Sequence, residues 1–156
     1  MIDLRPPGFG RPADFIRDRA DLEIPARTGW GEAEGEPIVG QIAVVWVMRT
    51  RAEHPKGRYG RTLAEVCRKP WQFSCWNEDT AARPNPRLGK VHALEISNPA
   101  YLRFLRIVLQ VALGELDDPT GGCTHYHVAG ATPKWARGRL PHIRIGNHVF
   151  YKGVDP

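Results

Sequence analysis

Apolar residues recur at helical spacing in the first half of the chain. The stretch 42–48 is apolar almost all round, which predicts that a helix from about Pro37 to Arg51 is the central, buried helix. An earlier helix is expected to start at Pro25, because proline suits a first helical turn. It should end at Gly35 and Pro37, since glycine favours a left-handed cap and proline disfavours helix at the residue before it.

Two further helices are predicted from stop signals, capping residues and apolar spacing. A short helix runs from Thr62 to Arg68 and stops at Lys69-Pro70. A longer helix begins with the capping pair Asn98-Pro99 and continues to Gly114. The residues that carry the helical spacing are Leu63, Val66 and Cys67 in the short helix, and Leu102, Leu105, Val108, Leu109 and Ala112 in the long one.

The last quarter of the chain changes to the pattern of strands. Residues 124–128 suit one strand, and 143–145 with 148–151 suit a hairpin across the turn Gly146-Asn147. Residues 77–89 are polar and rich in proline, so we expect a loop there. The fold class is therefore α+β, mostly helical with a small antiparallel sheet near the C-terminus.

Composition indicates one globular domain. The chain has 156 residues, of which 42% are hydrophobic and 25% charged. Residues 1–20 are rich in Pro, Gly and Arg and are expected to be an N-terminal arm, with 21–156 as a single domain. No apolar run approaches the ~18 residues of a membrane span, and the start of the chain lacks the apolar segment of a secretory signal. We expect synthesis in the cytoplasm without a signal peptide and no membrane insertion.

The net charge of +5 favours polyanionic partners, among them nucleic acid, anionic membranes and acidic cell-wall polymers. The basic residues alternate with Asp and Glu along most of the chain, which favours a mixed solvated surface over a nucleic-acid-binding face.

The densest acidic cluster is Glu32, Glu34 and Glu36. Glu36 lies beside the start of the next helix, where a carboxylate serves the helix dipole, and Glu34 fits a solvated side chain. Glu32 differs because it follows Trp30-Gly31 near the end of a helix, where the partial negative charge disfavours a carboxylate. Burial beside aromatics would raise its pKa further, as a general acid for glycosidic cleavage requires.

Aromatic and metal-ligating side chains provide other candidates. Aromatic rings near loops and element ends could stack on sugars or anchor the core. On a strand, Cys123, His125 and His127 would share one face and could hold zinc. Three ligands at alternating positions of one strand are cramped, however, and the three cysteines are expected to be free, buried thiols. The aromatic candidates are Trp71, Phe73, Trp76, Tyr126 and Trp135.

Four sequence blocks then occur in order between about residue 26 and residue 152. They are Gly31-Glu32-Ala33-Glu34-Gly35-Glu36-Pro37 with Gly40-Gln41-Ile42-Ala43-Val44 and Arg49-Thr50-Arg51; Trp71-Gln72-Phe73-Ser74-Cys75-Trp76; Asp118-Pro119-Thr120-Gly121-Gly122-Cys123-Thr124-His125-Tyr126; and Pro133-Lys134-Trp135-Ala136 with Ile145-Gly146-Asn147-His148-Val149-Phe150-Tyr151. Together they resemble the SleB/CwlJ-type cell wall hydrolases. Departures from the family pattern are Glu34 for a frequent arginine, Thr50 for asparagine, and Cys123 for a small residue.

The resemblance implies a lysozyme-like fold that cleaves peptidoglycan between N-acetylmuramic acid and N-acetylglucosamine, with Glu32 as the catalytic acid. The expected outcome is that of a lytic transglycosylase, with a hydrolytic muramidase, a zinc-dependent amidase or peptidase, and an inactive wall-binding or virion module as alternatives. We expect no cofactor and no metal. The residues expected to line the substrate cleft are Phe73, Trp76, Tyr126, Trp135 and Glu36.

The expected partner is the peptidoglycan glycan strand, and the expected place of action is the bacterial cell wall or periplasm. A single domain without a signal peptide fits a phage or prophage endolysin that reaches the wall through a holin pore, and it also fits a virion-associated enzyme.

Overall fold

Helices occupy most of the chain before residue 114, and a small sheet follows. The computed structural model describes residues 12–154, with side chains described from Asp14 onward. The α-helices in this part of the chain are α1 (Pro12–Phe15), α2 (Ala20–Ala33), α3 (Ile38–Ala52), α4 (Leu63–Arg68), α5 (Pro86–His92) and α6 (Pro99–Leu113); the strands are β1 (His125–Val128), β2 (Ile143–Ile145) and β3 (His148–Tyr151). Two short 3-10 helices span Ser74–Trp76 and Lys134–Ala136.

This architecture confirms the α+β class predicted from the pattern. The sheet has the order β1-β3-β2, and both strand pairs are antiparallel. The predicted hairpin is present, with Gly146 and Asn147 between β2 and β3. Most of the expected arm, residues 1–11, lies outside the described residues, as do residues 155–156. Between residues 12 and 154 no helix combines the length and apolarity that crossing a membrane requires.

Helix α2 begins at Ala20, not at Pro25 as the sequence predicted. The Asp18 carboxylate accepts the Ala20 N–H at 2.9 Å, and the buried Asp21 carboxylate accepts the Ala64 N–H of α4 at 2.9 Å. These contacts fix a helix start upstream of the proline. In the second turn Pro25 leaves only the Asp21 carbonyl without its helical partner, and the helix continues through it.

Helix α3 is the buried centre of the domain, as predicted. Val44, Val45 and Val47 are fully buried, and Trp46 donates its indole N–H to the Leu116 carbonyl at 3.1 Å. Arg49 is also buried. Its Nη1 donates to the Val111 carbonyl at 2.7 Å, and its Nε donates to Glu53 Oε1 at 2.8 Å. A buried arginine is tolerated where its donors are satisfied in this way.

Helix α6 begins and ends where the sequence predicts. The Asn98 side chain accepts the N–H groups of Ala100 and Tyr101 at 3.0 and 3.1 Å, and Gly114 closes the helix at φ 75°. Leu102 and Leu109 of the expected apolar series are 36% and 44% exposed and lie outside the core. The buried face instead consists of Tyr101, Phe104, Ile107, Val108, Val111 and Ala112.

Helix α5 lies partly in the segment predicted as a loop. Asn85 and Pro86 precede it as a helix start, but of its seven residues only Val91 is buried, so no apolar periodicity marked it. Arg27 of α2 donates to the carbonyl of Val91 at 2.6 Å and ties the end of α5 to the domain.

The close approach of α2 and α6 gives a test of the packing. A Cβ placed on Gly29 would lie 2.6 Å from Cδ1 of the buried Phe104 ring. We expect Gly29→Ala to lower the free energy of unfolding by about 1–3 kcal/mol through overpacking, which outweighs a gain of ~1 kcal/mol in helix propensity. Urea unfolding measures the change.

The matched control is Gly89→Ala in α5, where nothing lies within 4 Å of the added Cβ. It should raise the free energy of unfolding by about 0.5–1 kcal/mol, because only the propensity gain remains. A Gly29→Ala protein as stable as the parent would contradict the close packing of α2 on α6.

Candidate active site

The Glu32 carboxyl group lies at the junction of three chain segments. Glu32 is in the last turn of α2. Its Oε1 accepts the backbone N–H of Cys75 at 3.4 Å, and its Oε2 accepts the hydroxyl of Tyr126 on β1 at 3.2 Å. The site therefore combines a helix end, a 3-10 helix and a strand.

Burial raises the pKa of the Glu32 carboxyl above its ordinary value. The hydrogen bonds from Cys75 and Tyr126 and the positive charge of Arg87 act in the opposite direction, but they are smaller than the desolvation. Burial also raises the pKa of Tyr126 well above its usual range, so its hydroxyl remains a donor. The result is a carboxyl group that keeps its proton at higher pH than a solvated glutamate does.

Gly31 allows the 3-10 helix to come this close. A Cβ on Gly31 would lie 2.8 Å from Cβ of Cys75, so only glycine leaves room for that contact. The Gly31 carbonyl accepts a hydrogen bond from the Arg87 guanidinium at the start of α5.

Arg51 supports the two segments that contact Glu32. Its side chain is only 4% exposed; Nε donates to the Thr124 carbonyl at 2.7 Å and Nη1 to Gln72 Oε1 at 3.2 Å. It thus connects the segment before Cys75 to the start of β1. The guanidinium also lies over the rings of Tyr59 and Phe73, at 5.4 and 5.2 Å from their centroids.

A cleft of about 340 Å³ opens beside Glu32. Glu36 lies on its wall, and its carboxylate accepts the Asn147 backbone N–H at 2.7 Å. The carboxylate expected to serve the helix dipole therefore holds the β2–β3 turn against the segment between α2 and α3. The lining residues are Glu32 to Glu36, Arg87, Val128, Asn147 and His148.

His148 directly follows this turn and lies next to the Glu36 carboxylate. Its Nδ1 lies 3.5 Å from Glu36 Oε1 and, among the described residues, is a buried polar atom without a hydrogen-bond partner. Burial lowers the pKa of His148, and the Glu36 charge opposes that shift only in part. The ring of His148 packs 4.8 Å from that of Tyr126, so the turn also supports the residue that contacts Glu32.

The other acidic candidates occupy different surroundings. Glu34 is exposed on the cleft wall. Asp118 folds back on its own turn, accepting the N–H groups of Thr120 and Gly122 at 2.8 Å. Asp117 is exposed and is not among the residues lining the cleft.

The four aromatic residues that were expected to line the cleft do not all meet at Glu32. Tyr126 does, through its hydroxyl. Phe73 is 2% exposed and packs in the core under Arg51, so in this structure it presents no free ring face. Trp76 is half-buried, with its indole N–H donated to Thr28 Oγ1 at 2.7 Å, and lines a neighbouring groove.

Trp135 lies on the face of the sheet opposite to Tyr126. Its ring packs 5.1 Å from His125, 5.7 Å from His127 and 5.1 Å from Tyr151. Because side chains alternate along a strand, the residue between the two histidines, Tyr126, points the other way, towards Glu32. The structure thus separates Trp135 from the cleft that it was expected to line.

The cysteine and histidines weighed as zinc ligands do not come together. Cys123 precedes β1 and is fully buried, with its Sγ 3.4 Å from the Thr120 carbonyl. Because Cys123 lies outside β1, the alternation of side chains along the strand does not place it on one face with His125 and His127. Across residues 12–154 no group of three His, Cys, Asp or Glu side chains is placed to hold a metal. All three cysteines are free and buried, as predicted.

Sequence reasoning missed the residues that shape the surroundings of Glu32. The Cys75 backbone N–H and Arg87 carry no local signal of this role, although Cys75, like Arg51, lies in a block that supports the resemblance. The clearest available signal was a charged residue, Arg51, at the end of a helix expected to be buried.

Comparison with known proteins identifies the family. A sequence model described as cell wall hydrolase matches residues 35–151. The chain belongs to the cell wall hydrolase family. The match covers Arg51, Cys75 and Tyr126, whereas Glu32 lies just before its first residue.

Two curated relatives of this family member are spore cortex-lytic enzymes. The protein of Halalkalibacterium halodurans is 30% identical over 131 residues, which cover 83% of this chain and 34% of the relative. That of Bacillus cereus is 26% identical over 133 residues, covering 85% and 44%. The chain therefore spans between a third and a half of the length of these relatives.

Solved structures share the fold of this cell wall hydrolase family member. The catalytic domain of the Bacillus cereus SleB protein superimposes with a TM-score of 0.67 at 25% identity, covering 96% of this chain and 100% of that one. The catalytic domain of the germination-specific lytic transglycosylase SleB from Bacillus anthracis gives 0.65 at 27% identity, covering 86% and 96%.

The raised pKa of Glu32 predicts a pH-dependent stability. A carboxyl group whose pKa is higher in the folded than in the unfolded state stabilises the fold less as pH rises above the unfolded value. Glutamine has the same shape and does not ionise. We therefore expect Glu32→Gln to be more stable than the parent in urea unfolding at about pH 8, and to lose that advantage at about pH 4.

Glu23→Gln is the control, because it makes the same change elsewhere on α2. Glu23 pairs with Arg19 at the surface, and such a pair contributes little to the free energy of unfolding. A Glu32→Gln advantage of equal size at both pH values would contradict the burial argument.

Proposed function

We propose that this chain degrades peptidoglycan by cleaving the bond between N-acetylmuramic acid and N-acetylglucosamine, as a lytic transglycosylase. The observation that carries the proposal is the buried Glu32 carboxyl, held by the Cys75 N–H and the Tyr126 hydroxyl beside an open cleft. Membership of the cell wall hydrolase family supports the substrate class, and the Bacillus anthracis neighbour is itself a lytic transglycosylase.

In the first step Glu32 acts as a general acid. Its carboxyl proton moves to the glycosidic oxygen as the bond from that oxygen to C1 of the muramoyl ring breaks, and positive charge develops on the ring. The N-acetylglucosamine end leaves with a hydroxyl group. The Cys75 N–H, the Tyr126 hydroxyl and the charge of Arg87 all favour the carboxylate that remains.

In the second step the same carboxylate acts as a general base. It accepts the proton of the C6 hydroxyl of the muramoyl ring while the oxygen of that hydroxyl bonds to C1. The product is a 1,6-anhydromuramoyl end, and Glu32 regains its proton. The nucleophile is tethered to the substrate, so the step has the large effective molarity of an intramolecular reaction.

The surroundings of two nearby carboxylates, Glu36 and Asp118, favour this single-carboxyl mechanism over hydrolysis. An inverting hydrolase needs a second carboxylate about 6.5–9.5 Å from the acid, and a retaining one about 5–5.5 Å, free to activate water or attack the sugar. Glu36 is engaged by Asn147, and Asp118 by its own turn. We therefore assign Glu36 to shaping the cleft wall, where it meets the substrate beside Glu32.

Mass spectrometry of digested peptidoglycan tests the reaction. We expect 1,6-anhydromuramoyl ends, lighter than hydrolytic ends by one water, and no new reducing ends. Glu32→Gln should lose at least ~10²-fold in rate, because the general acid is gone.

The control Glu23→Gln should release the same products at the parent rate. Predominantly reducing muramic ends would establish a hydrolytic muramidase instead. A folded Glu32→Gln protein that degrades peptidoglycan at the parent rate would remove Glu32 from the mechanism.

Tyr126→Phe tests whether Tyr126 positions and tunes Glu32. The Tyr126 hydroxyl stabilises the ionised form of the Glu32 carboxyl. Removing that hydroxyl should therefore raise the pKa of Glu32. Because the acid must be protonated, the alkaline limb of the kcat/KM profile should move to higher pH.

Tyr151→Phe is the matched control. It removes a hydroxyl that contacts His127 at 2.9 Å on the other face of the sheet and should leave the limb in place. If Tyr126→Phe lowered the rate without moving the limb, Tyr126 would have only a packing role.

A further inference from the structure

Trp71 combines an unusual backbone conformation with a highly exposed side chain, and packing within the fold explains neither. Its side chain is 73% exposed, and its φ of 65° makes it the single non-glycine residue with positive φ in the described part of the chain. A bulky residue in the left-handed region is strained, and an exposed indole leaves a large apolar surface in water. Strained, exposed aromatics of this kind are typical of binding surfaces.

Trp71 borders a groove larger than the cleft at Glu32. The groove has a volume of about 860 Å³ and lies between the segment that contains Trp71 and Trp76 and the loop that leads into α5. Arg83 from that loop places its guanidinium carbon 6.0 Å from the centroid of the Trp71 ring. An aromatic face and a guanidinium therefore occur side by side at the groove.

The charge of the groove is strongly positive. Glu78 is the one acidic residue among the side chains that line it, against four cationic ones. Arg83 and Arg87 are both exposed. Such a surface attracts a ligand that carries carboxylates. The four cationic residues are Arg68, Lys69, Arg83 and Arg87.

The groove adjoins the cleft at Glu32. Arg87 lines both cavities, and Cys75, whose N–H contacts Glu32, lines the groove. A polymer with one end in the groove would pass Arg87 and reach the buried carboxyl.

We propose that this groove binds a muramoyl sugar of the glycan strand, with the sugar ring stacked on Trp71 and a carboxylate paired with Arg83. The inference rests on the proposed function and adds a subsite to it. A muramoyl sugar differs from N-acetylglucosamine by a lactyl group, which bears a free carboxylate or an attached peptide with carboxylates of its own. The aromatic and cationic pair matches a ring and an acid on one sugar unit.

Binding measurements in the Glu32→Gln background test the proposal without relying on turnover. Isothermal calorimetry compares a neutral chitooligosaccharide, glycan strands stripped of peptide and peptide-bearing strands. We expect Trp71→Ala to weaken the binding of all three about tenfold, since each offers a sugar face. Arg83→Gln should weaken only the carboxylate-bearing strands, about tenfold, and leave the chitooligosaccharide unaffected.

The pattern of the Arg83→Gln loss names the source of the carboxylate. A loss confined to stripped strands assigns the lactyl group, a loss confined to peptide-bearing strands assigns the peptide, and a loss with both shows that Arg83 pairs with either carboxylate. Trp71→Phe keeps a ring and should retain most of the affinity. Arg106→Gln removes an equal charge from the exposed face of α6 and should change nothing.

A second substitution at position 71 serves as the control for folding. Trp71→Gly relieves the left-handed strain, so its Tm should be no lower than that of the parent while its affinity falls as in Trp71→Ala. If the parent binds the strands and neither Trp71→Ala nor Arg83→Gln weakens binding, the groove is not a subsite and the proposed function stands. If the parent binds none of the three ligands, both proposals fail.

Discussion

A carboxyl group removed from water needs donors to replace the water it loses, and this requirement organises the site. Glu32 obtains them from Cys75, which lies 43 residues further along the chain, and from Tyr126, which lies 94 residues further along. Neither donor neutralises the effect of burial, so the acid remains protonatable and also fixed in position. The proposed role as a general acid requires both properties, and they come from the same packing.

Helix α3 provides the framework that brings those donors to Glu32. Arg51 at its C-terminal end connects Gln72, ahead of Cys75, to Thr124, ahead of Tyr126. Gln41 near its start donates to the carbonyls of Glu34 and Glu36 and so fixes the chain that follows the helix of Glu32. Two buried polar residues on one apolar helix therefore set the positions of the segments around the carboxyl group.

The two faces of β1 make different contacts. Tyr126 points to Glu32, while His125 and His127 pack with Trp135 on the opposite face. This alternation explains why Trp135 does not reach the cleft and why the histidines do not combine with Cys123. It also explains how a sheet of short strands can present a hydroxyl donor to Glu32 on one face with an aromatic cluster on the other.

The sequence by itself determined the features that depend on neighbours along the chain. These are helix α3, the Asn98 cap and Gly114 end of α6, the hairpin, and the position of Glu32 near a helix end. It misplaced the start of α2, which is fixed by Asp21 contacting α4, and it missed α5, which has no apolar periodicity. Only the tertiary structure decided that Phe73 is buried, that Trp135 lies away from the cleft and that Trp71 is exposed. Those outcomes depend on which distant segments pack together, and local spacing carries no information about that.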